Sequence, residues 1–121
     1  MSSRFRIIGC IALLIMTSGC KRETGVTVSE SPTALTFKAV RGGQPACVDD
    51  VAIYKANDQL NPLWSIGAPT GAKCRSEFRY GEAPAGFVAS GEPAKLIAGQ
   101  SYIVTMRGAG MLGQDEFTKR F

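Results

Sequence analysis

Leu96-Ile97-Ala98-Gly99-Gln100-Ser101-Tyr102-Ile103-Val104-Thr105-Met106-Arg107 breaks at its glycine and then runs on as an extended segment whose alternate positions Tyr102, Val104 and Met106 share one face. A period of two belongs to a half-buried strand, whereas a helix would repeat its apolar residues every three to four positions. Beyond the N-terminal segment no stretch of helical periodicity is long enough to form a helix, and Gly and Pro recur at roughly eight- to twelve-residue intervals, the spacing of many short strands.

Working outward, the same reading predicts strands at 34–41, 51–56, 63–66, 74–80, 86–89, 101–107 and 116–121. Each of six presents one apolar face: Leu35, Phe37 and Ala39; Val51 and Ile53; Trp64 and Ile66; Phe78 and Tyr80; Tyr102, Val104 and Met106; Phe117 and Phe121. Cys74 shares parity with Phe78 and Tyr80, so its sulfur is expected to point inward. Val26-Thr27-Val28 alternates as well and would suit a first edge strand. With 121 residues, 45% of them hydrophobic, the chain supports one core and one domain.

Leu96-Ile97-Ala98-Gly99-Gln100-Ser101-Tyr102-Ile103-Val104 resembles the Leu-x-Pro-Gly-x-x-Tyr-x-Val signature of fibronectin type III and related domains. The resemblance covers about ten residues, with Ala98 where proline is usual and Trp64 only loosely placed as the family's tryptophan. It implies that the Tyr102 hydroxyl returns to upstream backbone and that Gly99 forms the turn. The expected fold is all-β, a small immunoglobulin-like or transthyretin-like β-sandwich of about seven short strands spanning residues 33–121.

The N-terminus has a different character. Arg4 and Arg6 precede an uncharged stretch from Ile7 to Cys20, the layout of a signal peptide. It falls short of the about 20 apolar residues that cross a bilayer. The stretch ends Met16-Thr17-Ser18-Gly19-Cys20, which resembles the lipobox of bacterial lipoproteins, with Thr17 where Leu is commonest. Ile7-Ile8-Gly9-Cys10 has a similar look but comes too early to follow an apolar segment. The resemblance implies that residues 1–19 are removed and that Cys20 carries a diacylglycerol on sulfur and usually a second acyl group, such as palmitate, on its amine. Lys21 follows Cys20, which in enteric-type lipoproteins implies outer-membrane sorting, facing the periplasm. Residues 20–32 would then be a lipidated tether.

Loss of the signal removes Arg4 and Arg6 and leaves 12 basic against 10 acidic residues, so the apparent basicity of +4 falls to about +2. No basic run remains to track a phosphate backbone, and nucleic acid is not an expected partner. Of four cysteines, Cys10 goes with the signal and Cys20 with the lipid, leaving Cys47 and Cys74. In an oxidising periplasm these are expected to form a disulfide, the other reading being two free buried thiols. A redox pair would need Cys-x-x-Cys spacing.

Histidine is absent, which excludes a Ser-His-Asp triad, a Cys-His dyad and every His-containing zinc site. Gly108-Ala109-Gly110-Met111-Leu112-Gly113 satisfies Gly-x-Gly-x-x-Gly, but only eight residues follow it, so neither the helix nor the later acid of a dinucleotide site fits. It reads as a glycine-rich hairpin loop. Asp49-Asp50 and Asp115-Glu116 read as solvated turn acids, because neighbours on an extended chain point apart. No catalytic residue, metal site or small-molecule cofactor is expected. Lys73, Arg75 and Arg79, with Glu77 among them, form the candidate binding patch, weighed against a plain solvent-facing strand. The expected function is a lipid-anchored, periplasm-facing binding or structural module of the cell envelope with a protein partner and no catalysis. The alternative is an inhibitory or immunity lipoprotein that neutralises a periplasmic toxin or hydrolase.

Overall fold

The computed structural model describes residues 24–69 and 74–121. Nine strands follow one another: β1 (Thr24–Ser31), β2 (Ala34–Arg41), β3 (Gln44–Pro45), β4 (Asp50–Lys55), β5 (Trp64–Gly67), β6 (Glu77–Arg79), β7 (Val88–Ala89), β8 (Ser101–Gly108) and β9 (Met111–Thr118). No helix occurs among the described residues. The count exceeds seven because β3 is a two-residue piece that turns back on β2, and because Thr24–Ser31, expected in the tether, pairs with β2 along its whole length. The alternation of Val26 and Val28 is therefore that of an edge strand.

All pairings are antiparallel. One sheet holds β1 and β2, with β3 and β6 both on the second edge of β2; the other runs β7-β5-β4-β8-β9. Setting β1-β2-β6 against β5-β4-β8-β9 reproduces the A-B-E and C′-C-F-G strand order of an immunoglobulin-type sandwich. Sharp turns set the registers. Gly42 and Gly43 both take positive φ (60° and 79°) in the two-residue β2–β3 loop, a backbone that L side chains rarely adopt.

The core contains the predicted faces of β2, β4, β5 and β8, with Phe78 from β6 added. Burying each large side chain such as Phe37, Ile53 or Trp64 favours folding by about 1.5–3 kcal/mol. Ala52 and Ile103 are also buried, although their parity puts them on the outer face. They sit on β4 and β8, which have strands on both sides, so neighbouring side chains screen them. At the corner after β7 the Ile97 amide donates to the Tyr102 hydroxyl at 2.8 Å, and Gly99 takes φ 90°. Tyr102 thus returns to backbone five positions upstream, the tyrosine-corner geometry.

Cys47 and Cys74 are bridged, with Cα atoms 4.8 Å apart. Cys47 lies on the β3–β4 crossover and Cys74 on the β5–β6 crossover, so the bridge clips together two of the three places where the chain changes sheet. Both cysteines are exposed, contrary to the inward orientation expected for Cys74. The reason is local. Strand β6 begins only at Glu77, and ahead of it the Ser76 carbonyl accepts from the Ala39 amide and the Arg75 carbonyl from the Val48 amide of the β3–β4 crossover, so strand parity does not extend to Cys74.

Two other boundaries move. The Gly108–Gly113 stretch turns only at Ala109 and Gly110, and β9 starts at Met111, which places Asp115 and Glu116 within a strand instead of at a turn. Phe121 lies beyond the end of β9 and is 53% exposed, so it does not close the core as expected.

Candidate functional site

Arg75, Glu77 and Arg79 lead into and along β6, which pairs with β2 through Thr36↔Arg79, Phe37↔Phe78 and Lys38↔Glu77. Alternation buries Phe78 and leaves Glu77 and Arg79 exposed, so the predicted charged face exists. Beside it the chain turns at Gly81, where the Glu82 amide donates to the Arg79 carbonyl at 3.1 Å. Between β6 and that turn lies an open cleft of about 340 Å³. Arg75, Glu77, Arg79 and Glu82 line it, with Phe78, Ala83, Pro84, Ala34 and Thr36 as its less polar walls. The structure thus brings Arg75 and Arg79 to one cleft; Lys73 and Cys20 lie outside the described residues.

The two arginines differ in freedom. Arg79 Nε is 3.5 Å from Glu82 Oε2, and its Nη2 donates to the Thr33 carbonyl at 3.4 Å. An ion pair this exposed contributes about 0–1 kcal/mol, so a partner's carboxylate can displace it. Arg75 makes no ion pair among the described residues. Two guanidinium groups and two carboxylates around apolar walls suit a mixed-charge protein surface. A guanidinium pairs with a carboxylate through two parallel hydrogen bonds, and the walls give partner side chains area to cover.

Behind the cleft, burial pushes the Tyr80 hydroxyl up to about 12, and Tyr102 adds to the shift. The hydroxyl donates to the Ala94 carbonyl at 2.5 Å, and the ring meets Trp64 edge-on at 4.9 Å. Tyr80 therefore is a fixed part of the packing between the sheets and keeps its proton at neutral pH. Asp50 is raised by partial burial, against the lowering effect of Arg107 opposite it, with neighbouring Asp49 raising it further. Among the described residues no group of three Cys, Asp or Glu side chains is placed to hold a metal ion.

One buried charge escaped the sequence reading. The Glu30 side chain is 5% exposed and binds Lys119 with the amides of Arg120 and Phe121, tying β1 to the chain's last residues. Nothing in a polar Ser-Glu-Ser-Pro run signals a contact with residues so distant in sequence. No family model matches this chain, and no curated protein does.

Proposed function

We propose that this protein is a lipid-anchored, non-enzymatic module of the bacterial outer membrane, facing the periplasm, that binds or braces another envelope protein through the Arg75–Arg79 cleft. The observation that carries the reading is the Met16-Thr17-Ser18-Gly19-Cys20 ending, which only Lys21, Arg22 and Glu23 separate from the first strand of a sandwich. Two or three acyl chains on Cys20 hold the domain at the surface effectively permanently. An exposed bridge suits an oxidising compartment. The cleft presents paired arginine and glutamate side chains around apolar walls, a set suited to recognition of a charged protein surface.

Mass spectrometry of the mature N-terminus tests the anchor, and an unmodified residue there overturns it. Crosslinking in intact cells followed by affinity capture tests the cleft, with the wild type compared with the R75E/R79E double variant. The expected result is one envelope partner recovered with the wild type and lost with the variant. Equal recovery removes the cleft from the reading, and recovery of a secreted toxin or hydrolase makes the module an inhibitor instead.

A further inference from the structure

We propose that the end of the sandwich carrying Thr24 is a lipid-docking face, at which Leu112 enters the headgroup boundary and Arg41 and Arg107 meet lipid phosphates. The inference rests on the reading of Cys20 as acylated and adds to it an orientation.

Four residue steps from Cys20 to Thr24 span at most about 14 Å, whereas an eight-residue strand is about 26 Å long. The tether is shorter than the domain, so it holds the Thr24 end near the headgroups, and the opposite end reaches them only if the domain tips onto its side. Register shows what that end presents. Thr24 stands opposite Arg41, and a Cβ on Gly113 would lie 2.8 Å from Thr24 Cγ2, which puts neighbouring Leu112 beside the point where the chain enters the fold. Leu112 is 59% exposed and pairs directly with Arg107. Arg41 and Arg107 are both exposed.

The hairpin tips flanking these side chains, Gly42-Gly43 and Ala109-Gly110, carry nothing bulkier than a methyl group, so backbone can approach a flat surface. Among the described residues the acids at this end are Asp49 and Asp50. Asp50 lies on β4, across β8 from Leu112, which leaves the β1–β9 side to Arg41 and the exposed leucine. A cationic side chain near an anionic leaflet favours binding about fivefold, and an apolar side chain at the boundary adds to it. The far end also exposes Leu60, Ile97 and Phe121, but those residues meet the surface only if the domain tips over, whereas the Thr24 end is held there by the tether.

The test uses the full chain purified from membranes and reconstituted in phosphatidylethanolamine–phosphatidylglycerol vesicles containing a brominated-tail lipid. The native Trp64 is buried and gives a constant background. Leu112→Trp adds a reporter at the docking face and Ile97→Trp one at the far end, both at positions 59% exposed and so tolerant of substitution. The added tryptophan of L112W is expected to shift to the blue and be quenched by the brominated tails, and that of I97W to stay solvated. Adding R41Q and R107Q to L112W should lower the docked-to-undocked ratio about thirtyfold at low salt. Mass spectrometry of the same sample separates the failures. Acylated Cys20 with an unquenched L112W reporter overturns docking and leaves the anchor standing, whereas an unacylated chain overturns both. Equal quenching at both reporters, or no effect of R41Q/R107Q, also overturns the proposal.

Discussion

Glu30 and Lys119 meet at 2.8 Å across 89 residues of sequence, which makes the last turn of chain part of the fold that β1 opens. Burial acts most strongly on the Glu30 carboxyl and pushes it up. Hydrogen bonds from Lys119 and the amides of Phe121 and Arg120, together with the Lys119 charge, overcome burial and hold it below its ordinary 4.5. A carboxyl lowered on folding stabilises the protein above its unfolded value, and that stability is lost as pH falls through the folded value. Glu30→Ala should cost about 2–3 kcal/mol in urea unfolding at pH 7. The gap between wild type and E30A should be widest above about pH 4.5 and narrow as pH falls through the lowered folded value; a gap independent of pH would refute the clamp.

Tyr102 supports the fold through its hydroxyl, which accepts from the Ile97 amide, as well as through its buried ring. Removing the oxygen leaves the Ile97 amide unpaired next to a buried ring, a loss of about 1–3 kcal/mol. Tyr102→Phe should therefore lower the unfolding midpoint while leaving near-ultraviolet dichroism and the strand content unchanged. An unaltered midpoint would mean that water replaces the hydroxyl at that corner.

The strands that sequence alone locates are those whose side-chain alternation survives intact in the fold. Leu35, Phe37 and Ala39, or Tyr102, Val104 and Met106, fall on one face because the pleat is regular, and period two is a property of the pleat itself. Cys74 fails the same reading because β6 begins only at Glu77, and the residues before it follow the Ala39 amide at the Ser76 carbonyl and the Val48 amide of the β3–β4 crossover at the Arg75 carbonyl. Phe121 fails because Glu30 takes the amides of Arg120 and Phe121 after β9 has ended. Both are long-range hydrogen bonds with no local signature. Arg75 and Arg79 were legible as a patch from their spacing, but the cleft was not, since its far wall comes from the turn after Gly81.

The bridge between Cys47 and Cys74 closes a loop with a sequence separation of 27, worth about 3.5 kcal/mol in the chain-entropy account. Because both cysteines are exposed, dithiothreitol should reach the bridge in the folded protein. Alkylation of the native protein should label neither residue before reduction and both afterwards. The C47S/C74S variant should unfold at markedly lower denaturant with the same strand content, since the clip constrains the crossovers and the core lies elsewhere.

Gly113 decides whether β1 belongs to the folded domain. Its missing side chain lets β1 and β9 close the open side of the sandwich: an added Cβ would stand 2.8 Å from Thr24 Cγ2 and 2.9 Å from Val26 Cγ2. On an isolated strand, Gly→Ala would gain stability by reducing the freedom of the unfolded chain, by about 0.4–1 kcal/mol. In this fold it must separate two strands or push side chains off their rotamers, at a cost of about 1–3 kcal/mol. Gly113→Ala is therefore expected to destabilise the wild type, and trimming the obstacle with Thr24→Ser and Val26→Ala in the same chain should recover part of the loss. The sign of the G113A effect in urea unfolding is the measurement. A stabilised variant would mean that β1 leaves β9 uncovered and that the domain starts after it.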